Sequence, residues 1–140
     1  MNINSVFGEE WHAWLPSLVA LAREAGAAIM QHYQDTQAAK LDDKADGSPL
    51  TAADMAAHDV IVAGLQRLAP DIAIISEENK HNPPVTAGAP FWLVDPLDGT
   101  KEFINRNGEF TVNIALIQDG LPTLAVVYVP VLKVAYIGQR

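Results

Sequence analysis

The sequence predicts an α+β domain in which two helices pack on a largely antiparallel sheet. Three observations predict it. The first half places apolar residues at helical spacing, the second half holds strand-like runs joined by turn signals, and the two kinds of segment follow one another instead of alternating. With 140 residues, 49% of them hydrophobic, the chain has the length of one modest domain and enough apolar material for its core, so residues 1–140 are expected to form a single unit.

Between residue 16 and about residue 33, Leu18, Leu21, Ala22, Ala25, Ile29 and Tyr33 recur at spacings of three and four, one face of a helix. Pro16 suits its first turn, where a missing N–H costs nothing. Trp11 and Trp14 read as core anchors, and the polar stretch 35–47 as a loop or flap. A second helix is expected from Thr51 to about Leu68, stopped by Pro70, with Ser48 or Thr51 as its cap. Asp54 then falls in the first turn, where a carboxylate complements the helix dipole. Asp54 and His58 are spaced to share a metal, but His58 reads better as part of a solvated face.

The run Ile72-Ala73-Ile74-Ile75 is a short strand that delivers Glu77 and Glu78 at its end, with Glu78 in a solvated turn ahead of the loop 81–90. Phe91-Trp92-Leu93-Val94 is a second strand, covered on both faces, that should stop at Asp95. Residues 110–117, 124–129 and 134–137 read as three more strands. Asp119-Gly120 is a hairpin signal for the first connection, and the turn 130–133 serves the second.

The chemistry concentrates in Asp95-Pro96-Leu97-Asp98-Gly99-Thr100-Lys101. Pro96 fixes φ, Gly99 permits a positive φ, and Asp98 lies between them, so a sharp turn can bring both carboxylates into one small volume. Solvated acids in a surface turn are the bland explanation. Yet the five specified positions of Asp-Pro-x-Asp-Gly-Thr arise by chance in a chain this long on the order of once in ten thousand, which favours a built site. Glu77 adds a third carboxylate from a neighbouring strand end. Hard divalent ions such as Mg²⁺ prefer carboxylate, carbonyl and water oxygens, the inventory offered here.

Composition excludes several alternatives. A formal net charge of −8 and the lack of any Lys/Arg run argue against a nucleic acid polymer as partner. With no cysteine there is neither a disulfide framework nor a thiolate metal site. No apolar run reaches membrane-spanning length, and the N-terminus lacks the pattern of a secretory signal. The expected location is the cytoplasm, with peripheral attachment to the inner face of the membrane left open. Oligomeric state is not addressed by the sequence.

The segments Lys44-Ala-Asp-Gly-Ser-Pro-Leu-Thr-Ala-Ala-Asp54, Ser76-Glu-Glu78, Trp92-Leu-Val-Asp-Pro-Leu-Asp-Gly-Thr-Lys-Glu-Phe103 and Asn105-Arg-Asn-Gly-Glu-Phe-Thr-Val-Asn-Ile-Ala115 together resemble the inositol monophosphatase superfamily of metal-dependent, lithium-sensitive phosphatases. Lys101-Glu102-Phe103, which follows the Gly-Thr, is more similar to the branch of 3'(2'),5'-bisphosphate nucleotidases than to enzymes acting on inositol monophosphate. The resemblance implies the N-terminal portion of a layered α/β/α/β/α phosphatase fold. It implies that Glu77, Asp95 and Asp98 bind two or three Mg²⁺ ions through carboxylates, and Leu97 through its carbonyl. Asp54 and Thr100 become the pair that orients and deprotonates the attacking water, an assignment that displaces the helix-dipole reading of Asp54. Glu77, Leu97, Asp98, Gly99, Thr100 and Lys101 would meet the substrate, and Lys44 would lie near the metal water.

The implied reaction removes the 3'-phosphate of adenosine 3',5'-bisphosphate, a nucleotide recycling step linked to sulfate assimilation. The competing expectations are an inositol-monophosphate phosphatase and a non-catalytic fragment. Members of the superfamily are about twice this long, and a Trp-Asp-x-Ala-Ala-Gly segment of their second half, with a further metal-binding Asp, has no counterpart here. The chain is therefore expected to be the N-terminal, metal-binding portion of a phosphatase domain, inactive by itself.

Overall fold

A computed structural model describes residues 10–35 and 49–140. Among the described residues four helices, α1 (Glu10–Ala13), α2 (Leu15–Asp35), α3 (Pro49–Leu68) and α4 (Thr100–Ile104), accompany five strands. These are β1 (Ala73–Ser76), β2 (Phe91–Asp98), β3 (Thr111–Gln118), β4 (Leu121–Val129) and β5 (Val134–Gln139), in sheet order β1-β2-β3-β4-β5. The sheet is mixed: β1 and β2 are parallel and every other pairing is antiparallel. This is the α+β architecture the sequence predicts, with the one parallel pair placed where the two acidic strand ends meet.

The helical spacing is explained by burial. Leu18, Ala22, Ala25 and Ile29 of α2 are fully buried, as are Ala53, Ala57, Ile61 and Leu65 of α3. The two helices pack on each other and on one face of the sheet, α2 across β3 and β4, and α3 across β1 and β2. Their approach is close: a Cβ at Gly64 would stand 2.3 Å from Leu21 Cδ1, so any larger residue there would force the Leu21 side chain to move. Trp92 is fully buried, and its ring lies 5.8 Å from that of Trp14, consistent with the anchor role expected of Trp14. The opposite sheet face carries exposed Leu93, Val127 and Tyr136. Strand β2 is thus buried on one face only, contrary to the expectation of cover on both.

The β3–β4 hairpin turns through Asp119 and Gly120, both at positive φ (53° and 78°), the geometry for which an Asp-Gly pair is suited. Helix α3 starts at Pro49, earlier than expected, and this has two consequences. Thr51 lies inside the helix, so it is not the cap, and Asp54 is no longer in the first turn. The dipole explanation of Asp54 therefore lapses on structural grounds. Ser48, Lys44 and most of the stretch 35–47 lie outside the described residues.

Candidate active site

The parallel pairing of β1 and β2 sets Ser76 opposite Val94. Glu77 and Asp95 follow, so both acids leave adjacent strands at the same level, and the Glu77 N–H donates to the Val94 carbonyl at 3.1 Å. Strand β2 does not stop at Asp95, as the sequence suggests, but runs on to Asp98. Asp95 is opposite Asn113 and Asp98 opposite Thr111, so β2 uses one residue more than β3 over this interval. That is a β-bulge at Pro96 and Leu97, a place where a residue without an N–H is tolerated. The bulge interrupts strict alternation, which puts Asp95 and Asp98 on one face of the sheet although they are three residues apart.

The carboxylates feel one another. Asp95 is pushed up from 3.8 to about 7, first by burial, then by a hydrogen bond with Glu77 and by the negative charges of Glu77, Asp98 and Asp54. Asp54 reaches this cluster from α3, with its side chain fully buried. Asp98 is exposed, and its Oδ2 accepts a hydrogen bond from Asn113 Nδ2 at 3.1 Å, while Asn113 Oδ1 accepts from Thr111 Oγ1 at 3.2 Å. Asp95 Oδ1 is buried without a hydrogen-bond partner among the described residues. Also among the described residues, no three His, Cys, Asp or Glu side chains stand close enough to form a closed metal-ligand set. The structure thus gathers Asp54, Glu77, Asp95 and Asp98 into one electrostatic cluster of oxygen donors, open at its Asp98 side.

Beyond Asp98 the chain turns through Gly99, at φ 106°. A Cβ there would lie 3.0 Å from Phe110 Cα, so glycine is required by conformation and by space alike. Thr100 begins α4 and Lys101 follows it, both exposed. The short helix is held from below: fully buried Phe103 meets the rings of Tyr33 and Phe110 at 5.3 and 5.4 Å, and Arg106 lies 4.0 Å over the Tyr33 ring. Phe103, read from the sequence as part of a substrate-discriminating segment, is a core anchor for the loop. Its burial leaves Lys101 as the exposed part of that segment, with Glu102 half-buried beside it. Leu97 is buried, as befits a residue whose only proposed contribution is its carbonyl.

His58 departs from the solvated-face reading. Its Nδ1 is hydrogen-bonded to Ser76 Oγ at 2.8 Å. Residues that sequence reasoning passed over also converge here. Asn113 could have been found, because Thr111 and Asn113 are polar at alternate positions of a strand that is apolar from 114 to 117, on the face that carries Asp95. Asn82 gave no signal inside a loop rich in turn residues. A cleft of about 420 Å³ opens beside the cluster, with Glu77, Asp95, Asn82 and Asn113 on its polar side and Ile75 and Leu93 on its apolar side.

Comparison with known proteins gives concordant results. The profile of the Inositol monophosphatase family matches residues 10–140. The 3'(2'),5'-bisphosphate nucleotidase CysQ of Shigella flexneri is 58% identical over 123 residues, covering 87% of this chain and 50% of that protein. The crystal structure of CysQ from Bacteroides thetaiotaomicron superposes with a TM-score of 0.73 at 44% identity, covering 89% of this chain and 46% of that one. Inositol monophosphatase II from Staphylococcus aureus MSSA476 superposes with a TM-score of 0.74 at 26% identity, over 91% of this chain and 45% of that one. The chain spans about half the length of the curated relatives it matches.

Proposed function

The chain belongs to the inositol monophosphatase family, and from that premise we propose that it supplies the metal-binding half of a Mg²⁺-dependent phosphatase acting on a 3'(2'),5'-bisphosphate nucleotide. The observation that carries this reading is the convergence of Glu77 and Asp95 from paired parallel strand ends, with Asp54 and Asp98 within electrostatic reach. The donor chemistry of these residues suits a hard cation, with no three of the described side chains closed into a ligand set by themselves. Every donor is an oxygen, Asp95 Oδ1 is buried with its hydrogen-bonding capacity unused, and the mutual repulsion that raises Asp95 is what a divalent ion relieves.

In this reading Glu77, Asp95 and Asp98 hold Mg²⁺ through carboxylates and Leu97 through its carbonyl. Such ions, when bound, supply Lewis-acid polarisation of the phosphoryl group and acidify water toward neutrality. The chain's own residues do the positioning. Asp54 is shielded in α3 and Thr100 is presented at the start of α4, the two acting as the pair that orients the attacking water and takes its proton. Gly99, Thr100 and Lys101 line the phosphate, and Lys101 offsets part of its charge. The substrate would be adenosine 3',5'-bisphosphate, yielding AMP and phosphate in the cytoplasm, in the recycling linked to sulfate assimilation. The support for a nucleotide over an inositol phosphate is the 58% identity to a bisphosphate nucleotidase, against 26% to an inositol monophosphatase.

The test is a comparison of kcat/KM for adenosine 3',5'-bisphosphate and inositol 1-phosphate with Mg²⁺, in a protein of the relatives' length that carries this chain as its first half. A preference for the nucleotide is expected. A preference for inositol 1-phosphate would replace the nucleotidase assignment by its alternative, and hydrolysis of neither would leave a non-catalytic role.

A further inference from the structure

Among the described residues strand β1 is an edge strand: it pairs with β2 on one side only. Along a strand, successive residues turn their N–H and C=O groups to opposite edges. Glu77 turns its N–H inward, to the Val94 carbonyl, so Ser76 turns its own polar groups outward, to the edge where no described strand pairs. At that edge the side-chain amide of Asn82 takes the place of one. Ser76 N–H donates to Asn82 Oδ1 at 3.0 Å, and Asn82 Nδ2 donates to the Ser76 carbonyl at 3.0 Å. One planar group offering a donor and an acceptor side by side reproduces the pairing of a neighbouring strand at a single residue. The same amide nitrogen also reaches the Asn79 carbonyl at 3.5 Å.

The Ser76 side chain is fixed as well. It is 1% exposed, its Oγ is hydrogen-bonded to His58 Nδ1 at 2.8 Å, and it accepts from the Glu78 N–H at 3.4 Å. The backbone on both sides of Glu77 is therefore held by hydrogen bonds from three directions: β2, helix α3 through His58, and the exposed loop through Asn82. We propose that Asn82 and His58 are positioning residues for Glu77, and that Asn82 makes the cation affinity of the site depend on the fold of the loop between β1 and β2. The inference rests on the reading of Glu77 as a cation ligand. Its physical basis is that a carboxylate on a free strand end would sample many directions, and each lost direction that points away from Asp95 raises the fraction of molecules ready to bind.

The test measures Mn²⁺ affinity by electron paramagnetic resonance of the free ion, on the full 140-residue chain, together with the metal-free melting temperature. The set comprises the wild type, Asn82→Ala, Glu77→Gln, and the double variant Glu77→Gln/Asn82→Ala. Residues that orient a ligand typically change metal affinity by tenfold or more, so Asn82→Ala should weaken Mn²⁺ binding roughly tenfold. In the Glu77→Gln background the loss on removing Asn82 should vanish, because the residue acts through Glu77. Wild-type affinity in Asn82→Ala, or the same tenfold loss with and without Glu77, would overturn the positioning role. Wild-type affinity in Glu77→Gln would instead overturn the assignment of Glu77 itself, a separate result. Asn82 is exposed, so the variant should fold, and the metal-free melting temperature reports whether it does. His58→Gln is the second route: it keeps a hydrogen-bonding group toward Ser76 and should retain more affinity than His58→Phe, whereas equal affinities would count against His58.

Discussion

Replacing Asp95 by asparagine should stabilise the metal-free protein at alkaline pH, the reverse of what removing a hydrogen-bonded, half-buried side chain usually does. The native carboxyl holds its proton more tightly than the unfolded one, titrating at about 7 instead of 3.8 because of burial and the charges of Glu77, Asp98 and Asp54. Between about pH 4 and pH 7 the native state therefore binds more protons than the unfolded state, and stability must fall as pH rises across that window and level off above it. A displacement of this size corresponds to about 4 kcal/mol, and solvent at the open side of the cluster screens part of it, leaving about 2 kcal/mol. Urea unfolding at pH 8 without divalent ions should thus show Asp95→Asn more stable than the wild type by about 2 kcal/mol, with the difference shrinking toward zero near pH 4. Adding Mg²⁺ reverses the order: it stabilises the wild type by mass action, more at pH 8 than at pH 6 because it competes with the proton, and leaves Asp95→Asn nearly unaffected. A variant less stable than the wild type at pH 8 without metal, or one that gains as much from Mg²⁺, would refute the argument that repulsion at Asp95 is what the cation relieves.

Phe103→Ala should destabilise the fold by about 3 to 5 kcal/mol in urea unfolding, since it empties the centre of the ring cluster with Tyr33 and Phe110; a loss under 1 kcal/mol would show that α4 is not anchored there. Gly99→Ala should cost about 1 to 3 kcal/mol by the same measurement, from its positive φ and the approach to Phe110, and a neutral outcome would mean that the turn has another way to form. In a protein of the relatives' length, Thr100→Ala should lower kcat while leaving KM within a few-fold, because its proposed role is to align water in the transition state; a change confined to KM would reassign it to substrate binding.

What the sequence by itself determined about this protein is local in origin. The two long helices, the Asp119-Gly120 hairpin and the acidic ends of two strands are written in spacings of two, three and four residues and in turn chemistry, which act over a few bonds. For the same reason Asp95, Asp98 and Glu77 were legible as candidates: a strand end and a Pro/Gly turn present acids outward whatever surrounds them. Tertiary structure decided the rest. Whether Glu77 and Asp95 stand together depends on the parallel register of β1 and β2, which is set by how both strands pack under α3. The burial of Asp54 depends on where α3 begins and what it lies on, and not on the position of Asp54 within its own motif. The bulge that carries Asp98 past Asp95 exists only relative to β3, so no property of β2 alone could reveal it. His58 and Asn82, 18 and 6 residues from Ser76 in sequence, meet it because one helix packs on the sheet and one loop folds back on its edge. Hydrogen bonds between such distant groups follow from the fold's geometry, which periodicity does not encode.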